Sequence, residues 1–299
     1  MHIVTSEDLS DGILQELFIS ATDFERGVTA NTHPLKDRIM ATLFLEQSTR
    51  TRMSFESAMI RLGGTVISCP DGKGSSAVKG ETDYDSILTV CNYADVIVVR
   101  TPNPWPNLNV RTPANYPAID FDLINAGDGS NNHPTQALAD AYTIWKKFGR
   151  LDNLTIGIAG DLKKSRTIHS FVEMMGRQKN NMMILLDTVD GDQTLGKPPP
   201  CAHTYANILG FYEFFPDMDV IYTNRVQRER HDQHVWSSNF ALSPKLLGRL
   251  PDHAIVMNPG PRREELPPEL DANPKVVFFQ QVRNGMFARM ALLKYLLDS

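Results

Sequence analysis

One short stretch decides the fold class: Asp95-Val96-Ile97-Val98-Val99-Arg100, a β-branched and almost wholly apolar run that ends in a charge. A half-exposed strand alternates apolar and polar side chains, whereas a strand buried on both faces reads as a continuous apolar run. Helices cover both faces of a parallel sheet, since they form the crossovers between its strands. The stretch therefore favours a parallel sheet in an α/β protein.

Strand-like and helix-like patterns alternate on either side of this stretch. Upstream, apolar residues at helical spacing (Ile13, Leu14, Leu17, Phe18 and Ala21) predict a first helix, followed by a strand over 41–46 and a helix over 51–62. Downstream, Pro134 begins a predicted helix that ends at Phe148, before Gly149. The remaining predicted elements are strands at 155–160, 182–187, 219–223, 254–257 and 276–280, and a final helix at 284–297.

The alternation restarts near residues 135–150, which predicts a second α/β domain. We therefore expect two doubly wound parallel sheets with their ligands beyond the carboxyl ends of the strands. The length of 299 residues is compatible with two domains.

Composition excludes several functional classes. Hydrophobic residues make up 41% of the chain and charged residues 22%, which is typical of a globular protein and not of a fibrous or disordered one. The formal net charge of -5 argues against nucleic acid as the main partner. No apolar run approaches the ~20 residues that span a bilayer. The absence of a signal-like N-terminal pattern and three cysteines outside any CxxC (Cys69, Cys91 and Cys201) predict a cytoplasmic protein with reduced thiols.

The densest polar cluster is Glu46-Gln47-Ser48-Thr49-Arg50-Thr51-Arg52, between a predicted strand and a predicted helix. Hydroxyls and guanidinium groups meet there with the free backbone N–H groups of a helix N-terminus, a combination that binds phosphate. An ordinary helix cap with solvated arginines is the alternative. Arg100 ends the buried strand, and a charge at that place is expected to face the ligand crevice.

Three further polar segments occupy the same kind of position. Residues 125–136 run into a predicted helix N-terminus, where His133 could donate a hydrogen bond to a developing oxyanion or serve as a structural cap. Segments 160–166 and 224–230 follow strands of the second predicted domain. The pair His231 and His234 lacks a neighbouring carboxylate, so a solvated loop is favoured over a metal site. The glycines in 157–161 do not complete a dinucleotide-binding fingerprint.

These segments together resemble the aspartate/ornithine carbamoyltransferase family, over about residues 41–297. The residues that carry the resemblance are 44–56 (FLEQSTRTRMSFE), 79–82 (KGET), 125–136 (NAGDGSNNHPTQ), 161–170 (DLKKSRTIHS), 225–227 (RVQ) and 284–289 (NGMFAR). The resemblance implies a carbamoyl-phosphate-binding domain at 1–134, completed by the C-terminal helix 284–299, and an amino-acid-binding domain at 135–283, the two being joined by interdomain helices. It also implies transfer of a carbamoyl group from carbamoyl phosphate to the amino group of L-aspartate in pyrimidine biosynthesis.

The resemblance also implies a role for each matched residue. The phosphate is expected to bind Ser48, Thr49, Arg50, Thr51 and Arg100. Thr51, Arg100 and His133 are expected to polarise the carbamoyl oxygen, and Gln136 with the backbone carbonyls of Pro259 and Gly260 to accept the carbamoyl NH₂. Arg166 is expected to bind the α-carboxylate of aspartate, and Arg225 with Gln227 its β-carboxylate. Ser75 and Lys79 match residues that the family inserts from a neighbouring subunit, which implies a homotrimer or a multiple of it. No metal ion or organic cofactor is implied, and the sequence does not indicate a regulatory chain.

Some positions depart from the family pattern. Thr101 stands where many members have His, Asn224 where Thr or Leu is usual, and Asn258 where the family has His before Pro. The segment 101–118 also looks altered. Two alternatives therefore stay open: a carbamoyltransferase with a different amino-acid acceptor, and a non-catalytic homologue with an assembly or regulatory role. Ornithine is disfavoured as acceptor, because its ammonium group needs an acidic partner whereas Arg225 and Gln227 are offered.

Overall fold

The computed structural model describes residues 1–28, 32–69, 80–104, 121–189, 195–231 and 240–298. They form two compact units, Met1–Ala139 with Asn284–Ser299, and Asp140–Arg283. The two divisions fall inside helices α4 and α8, so these two helices join the units. None of the helices in the described ranges has the length and apolar character needed to cross a membrane.

The first unit contains a five-stranded parallel sheet with the strand order β1-β5-β4-β2-β3. Its strands are β1 (His2–Ile3), β2 (Ile39–Phe44), β3 (Thr65–Cys69), β4 (Val96–Thr101) and β5 (Asp122–Asp128). Its helices are α1 (Asp11–Arg26), α2 (Thr49–Arg61) and α3 (Asp83–Cys91). The four apolar residues of the deciding stretch, from Val96 to Val99, are each 0% exposed, which confirms a strand covered on both faces.

The second unit contains another five-stranded parallel sheet, with the order β10-β9-β6-β7-β8. Its strands are β6 (Thr155–Gly160), β7 (Met182–Asp187), β8 (Ala202–Tyr205), β9 (Val220–Thr223) and β10 (Ile255–Met257). Its helices are α5 (Arg166–Gly176), α6 (Ile208–Glu213) and α7 (Pro244–Leu247), and the joining helices are α4 (Pro134–Phe148) and α8 (Phe278–Leu297). The prediction of two parallel-sheet α/β domains is therefore confirmed.

Each sheet has one point at which the strand order reverses. In the first sheet, β2 leads to β3 on one side, while β4 lies on its other side, so the reversal falls between β2 and β4. In the second sheet, β6 leads through β7 to β8, while β9 pairs with the opposite edge of β6. Loops that leave the carboxyl ends of strands at such a reversal diverge and leave a crevice, where ligands of open α/β sheets bind.

The predicted strand at 276–280 is wrong. Val276 makes a single bridge to Val256, and helix α8 already begins at Phe278, six residues before the predicted start at Asn284. The run Val276-Val277-Phe278-Phe279 is apolar, and an apolar run this short is compatible both with a strand and with the start of a buried helix.

Candidate functional site

In the first unit, the predicted phosphate cluster leaves β2 directly beside the end of β4. Phe44 is the register partner of Arg100, and the N–H of Leu45 donates to the Arg100 carbonyl at 2.8 Å. The Arg100 side chain donates from Nη2 to Glu46 Oε1 at 2.9 Å. The structure thus brings Arg100 and the start of the 46–52 cluster together at the reversal of the sheet.

Helix α2 begins inside this cluster. Ser48 is its N-cap residue in an extended conformation, and the Ser48 hydroxyl makes no capping hydrogen bond. Thr49 and Arg50 are exposed, while Thr51 is buried. The first N–H groups of an α-helix have no partner within the helix, so the N-terminus of α2 presents oriented donors next to the hydroxyls and the Arg50 guanidinium.

His133 lies immediately before α4, in a turn fixed by a buried aspartate. Asp128, at the end of β5, is fully buried and accepts hydrogen bonds from Asn125, Asn131 and Asn132. The turn is tied to β4, because the Gly129 N–H donates to the Thr101 carbonyl at 2.9 Å.

The His133 ring is 3% exposed, and its Nδ1 lies 3.4 Å from Thr135 Oγ1. Gln136 is half-buried in the first turn of the same helix. The three residues Arg50, Arg100 and His133 therefore lie at or after the carboxyl ends of three neighbouring strands, β2, β4 and β5.

In the second unit, Arg166 is the first residue of α5, with Ser165 as the N-cap. Arg166 is 6% exposed. Asp161, which follows β6, is fully buried and accepts hydrogen bonds from the N–H groups of Lys164 and Gln227, the latter at 3.0 Å. This single carboxylate therefore joins the loop before α5 to the loop after β9, on the two strands between which the sheet order reverses.

Arg225 and Gln227 follow β9, and both side chains bond to their own chain in this structure. Arg225 pairs with both carboxylate oxygens of Glu229, at 2.9 and 2.5 Å. The hydrogen bonds from Arg225 lower the pKa of Glu229 to about 2, and the same ion pair raises the pKa of Arg225. The Gln227 amide donates to Asn224 Oδ1 at 3.0 Å.

Pro259 and Gly260 belong to a loop that follows β10. The Gly260 N–H donates to Asn258 Oδ1 at 2.7 Å, and Gly260 has a φ of 69°, in the left-handed region that glycine adopts without strain. Ser75 and Lys79 lie outside the described residues, as do residues 105–118 of the altered segment.

One histidine of the predicted pair, His231, lies within the described residues. His231 Nε2 lies 2.7 Å from Asp161 Oδ2, and His234 is outside the described residues. Within the described ranges no group of three His, Cys, Asp or Glu side chains is arranged to hold a metal ion. All three cysteines are free, with Cys91 buried and Cys69 and Cys201 half-buried. Burial raises the pKa of the Cys91 thiol to about 12.

Sequence reasoning assigned no role to the carboxylates that hold these side chains. Glu46, Asp161 and Glu229 stand inside the quoted segments, and Asp161 directly follows a predicted strand. That position at a strand end is the one signal that could have singled it out. The partners themselves depend on which strands are neighbours.

The chain is similar to known proteins over nearly its whole length. Residues 1–146 match the family model described as "Aspartate/ornithine carbamoyltransferase, carbamoyl-P binding domain", and residues 152–296 match "Aspartate/ornithine carbamoyltransferase, Asp/Orn binding domain". The aspartate carbamoyltransferase catalytic subunit of Bifidobacterium adolescentis is 37% identical over 97% of this chain and 92% of its own. That of Picrophilus torridus is 40% identical over 99% of this chain and 97% of its own.

Solved structures also match nearly the whole chain. The crystal structure of aspartate transcarbamoylase from Trypanosoma cruzi in complex with carbamoyl phosphate has a TM-score of 0.87 and 33% identity, covering 98% of this chain and 95% of that one.

Proposed function

The chain belongs to the aspartate/ornithine carbamoyltransferase family, and from that premise we propose that it transfers the carbamoyl group of carbamoyl phosphate to the amino group of L-aspartate. The products are N-carbamoyl-L-aspartate and phosphate, and the reaction belongs to pyrimidine biosynthesis. One observation carries the proposal: anion-binding side chains stand at the order reversal of both sheets, Arg50 and Arg100 in the first unit and Arg166 and Arg225 in the second.

The first unit supplies the groups for carbamoyl phosphate. Ser48, Thr49, Arg50, Thr51 and Arg100 bind the phosphate. Thr51, Arg100 and His133 donate hydrogen bonds to the carbamoyl oxygen, on which negative charge develops as the amine attacks. Arg100 exchanges its contact with Glu46 for a substrate oxygen, and the two contacts have the same chemistry, a guanidinium bound to an anionic oxygen.

The remaining groups bind the carbamoyl amide and the acceptor. Gln136 and the carbonyls of Pro259 and Gly260 accept the NH₂ of the carbamoyl group. Arg166 binds the α-carboxylate of aspartate. Arg225 and Gln227 bind the β-carboxylate, which takes the place that the Glu229 carboxylate has on Arg225 in this structure.

The reaction needs no nucleophile from the protein. The aspartate nitrogen forms a bond to the carbamoyl carbon, the carbon–oxygen bond to phosphate breaks, and the leaving phosphate accepts the proton of the amine. Two substrates held in line gain most of the acceleration from proximity, and the rest from donors aimed at the developing charges.

A substrate panel tests the proposal and separates it from a different acceptor. The purified protein is given carbamoyl phosphate with aspartate, asparagine, alanine, ornithine or a small diamino acid, and phosphate release is measured. We expect aspartate to be the best acceptor by a large factor, because only an acceptor with a side-chain carboxylate can take the place of Glu229 on Arg225. A neutral amino acid that outperforms aspartate would identify a transferase with another acceptor, and no turnover with any acceptor would identify a non-catalytic homologue.

We further propose that the protein works in the cytoplasm as a homotrimer or a multiple of it, with Ser75 and Lys79 reaching the site of a neighbouring subunit. Exposed apolar side chains of helix α2 support self-association. Met53 and Ile60 lie two turns apart on α2 and are 57% and 62% exposed. Large exposed apolar side chains on one helix face are typical of a surface that another chain covers.

A further inference from the structure

A single buried carboxylate in the second unit accepts hydrogen bonds from two directions. Asp140 of α4 is 0% exposed. Its Oδ1 accepts from Gln281 Nε2 at 2.6 Å, and its Oδ2 accepts from the Tyr222 hydroxyl at 2.9 Å. The mechanism proposed above makes no use of Asp140. A buried carboxylate is costly unless it is well bonded, so these contacts matter for the stability of this unit.

The first direction leads to the loop that carries Pro259 and Gly260. The Gln281 side chain, which donates to Asp140, accepts from the backbone N–H of Asn258 at 2.9 Å. Asn258 is 1% exposed and bonds on both sides of its amide. Its Oδ1 accepts from the Gly260 N–H, and its Nδ2 donates to Thr223 and Glu265. The Asp140 carboxylate thus fixes the amide of Gln281, and Gln281 fixes the first residue of the loop.

The second direction leads to the loop that carries Arg225 and Gln227. Tyr222 lies on β9, two residues before Asn224, so its bond to Asp140 holds the strand end from which this loop leaves. Thr167 Oγ1 accepts from Asn224 Nδ2 at 2.6 Å, and Asn224 Oδ1 accepts from Gln227 Nε2 at 3.0 Å. Asp140 therefore holds the end of β9 through Tyr222, and Asn224 joins the start of the loop to Gln227 and to Thr167 of α5, all within the second unit.

We propose that Asp140 is a positioning residue for carbamoyl transfer, whose buried carboxylate holds the 258–260 loop through Gln281 and the 224–227 loop through Tyr222. The loops would bind the carbamoyl NH₂ and the acceptor carboxylate, so this role rests on the proposed function. Asp140 thus anchors both loops, in addition to the bond that Asp161 accepts from the Gln227 N–H, and a change at Asp140 moves both loops together. Displacement of reacting groups by about 1 Å costs on the order of 100-fold in rate.

The variant Asp140→Asn tests this role. The amide has nearly the shape of the carboxylate but only one acceptor oxygen, so it cannot accept from both Gln281 and Tyr222 as the carboxylate does. Peptide-level hydrogen exchange is followed over 224–227 and 258–260 in the full-length protein without substrates. We expect exchange to be at least about tenfold faster in both segments, which corresponds to the loss of one hydrogen bond to a charged group. We also expect kcat/KM to fall by about 10-fold or more.

A compensating variant supplies the readout that a purely structural role would not move. In Asp140→Asn/Gln281→Glu the new amide can donate to the new carboxylate, which still accepts from the Asn258 N–H, while the Tyr222 hydroxyl keeps an acceptor. We expect the double variant to recover most of the slow exchange and of the activity. Gln281→Glu alone sets two buried carboxylates against each other and is expected to be worse than the double variant.

Asn181→Ala is the matched control. Asn181 is 1% exposed, and its side chain hydrogen-bonds backbone groups of Leu151, Leu154 and Met175, at the amino end of β7 in the second sheet. We expect it to lower the melting temperature with exchange in both loops unchanged. The proposal would be overturned if exchange in Asp140→Asn stays at the wild-type rate in either loop. It would also be overturned if Asn181→Ala speeds exchange in both loops to the same extent, or if adding Gln281→Glu does not restore slow exchange. Absence of carbamoyl transfer in the wild type would instead overturn the proposed function, since the exchange measurement does not depend on it.

Discussion

Two of the arginines proposed to bind substrate are held by carboxylates of their own chain. Arg100 bonds Glu46 at 2.9 Å, and Arg225 bonds both oxygens of Glu229. A side-chain carboxylate offers a guanidinium the same planar pair of acceptors as a substrate carboxylate. The protein carboxylate therefore keeps the guanidinium oriented, and little free energy is lost when a substrate carboxylate replaces it. The Arg225 contact is half in solvent, because the Glu229 side chain is 53% exposed.

Arg50→Ala is expected to reduce catalysis far more than stability. Arg50 is exposed on the first turn of α2, so its removal leaves no cavity, whereas the phosphate loses a charged donor. The expected loss in kcat/KM is on the order of 100-fold or more, with a melting temperature close to that of the wild type. Arg26→Ala, another exposed arginine at the end of α1, is the control and should keep full activity. Near-normal turnover in Arg50→Ala would show that the phosphate binds elsewhere.

The Arg225–Glu229 pair predicts a specific dependence of stability on pH. The folded pKa of Glu229, about 2, lies below its unfolded value of 4.5. The pair therefore stabilises the folded protein above pH 4.5, and this stabilisation is lost as the pH falls from 4.5 towards 2. Glu229→Gln should have a lower melting temperature than the wild type at pH 6. This gap in melting temperature should shrink steadily below pH 4.5. Glu213→Gln, at an exposed glutamate of α6, should leave no such gap. A gap of constant size down to pH 3 would contradict the assignment.

At the scale of elements, the sequence predicts those whose pattern is set by burial. The strands 155–160 and 182–187 and the helix 134–148 are confirmed to the residue. Strands β3 and β8 were missed because their side chains are largely exposed or half-exposed, which leaves no apolar alternation to detect. Strand β5 was missed because its second half carries Asn125, Gly127 and Asp128.

The candidate site is likewise only partly predictable from the sequence. Residue types and strand ends are enough to predict which side chains face a ligand crevice, because the carboxyl ends of parallel strands share one edge. The side chains that hold them are not predictable in this way. Asp161 and Gln227 are 66 residues apart, and they meet only because β9 pairs with β6.

The N-cap of α5 connects helix stability to acceptor binding. Ser165 accepts from the Ile168 N–H at 3.4 Å and from Asn224 Nδ2 at 2.9 Å, and Arg166 is the next residue. Ser165→Ala should cost about 1 kcal/mol of the free energy of unfolding. It should also raise the KM for aspartate, with the KM for carbamoyl phosphate little changed, because only the acceptor arginine is on this helix.

Ser243→Ala is the control for that prediction. Ser243 caps α7 through the Leu246 N–H at 3.3 Å in the same unit. Ser243→Ala should therefore lower the stability of the protein and leave its kinetic constants unchanged. Steady-state kinetics and chemical denaturation of both variants make the comparison. Equal kinetic constants in Ser165→Ala and the wild type would show that the cap plays no part in acceptor binding.

At the scale of the whole molecule, the proposed oligomer requires each site to be built from two chains. Arg50 belongs to one subunit's cluster, and Lys79 is proposed to come from its neighbour. A closed ring lets every subunit both give and receive such a residue. Met53 and Ile60, the exposed apolar side chains of α2, lie in the unit that would contribute both, and their burial between subunits favours the ring.

A mixing experiment tests the shared site. Arg50→Ala and Lys79→Ala chains should each be nearly inactive alone. In a mixed trimer, one of the interfaces joins an intact Arg50 to an intact Lys79, so activity should return to at most about one third of the wild-type value per mixed trimer. Mixing Arg50→Ala with the double variant Arg50→Ala/Lys79→Ala is the control and should stay inactive, because no chain then carries Arg50. If the first mixture stays as inactive as its parents, or if the wild type is a fully active monomer, each site is built from one chain.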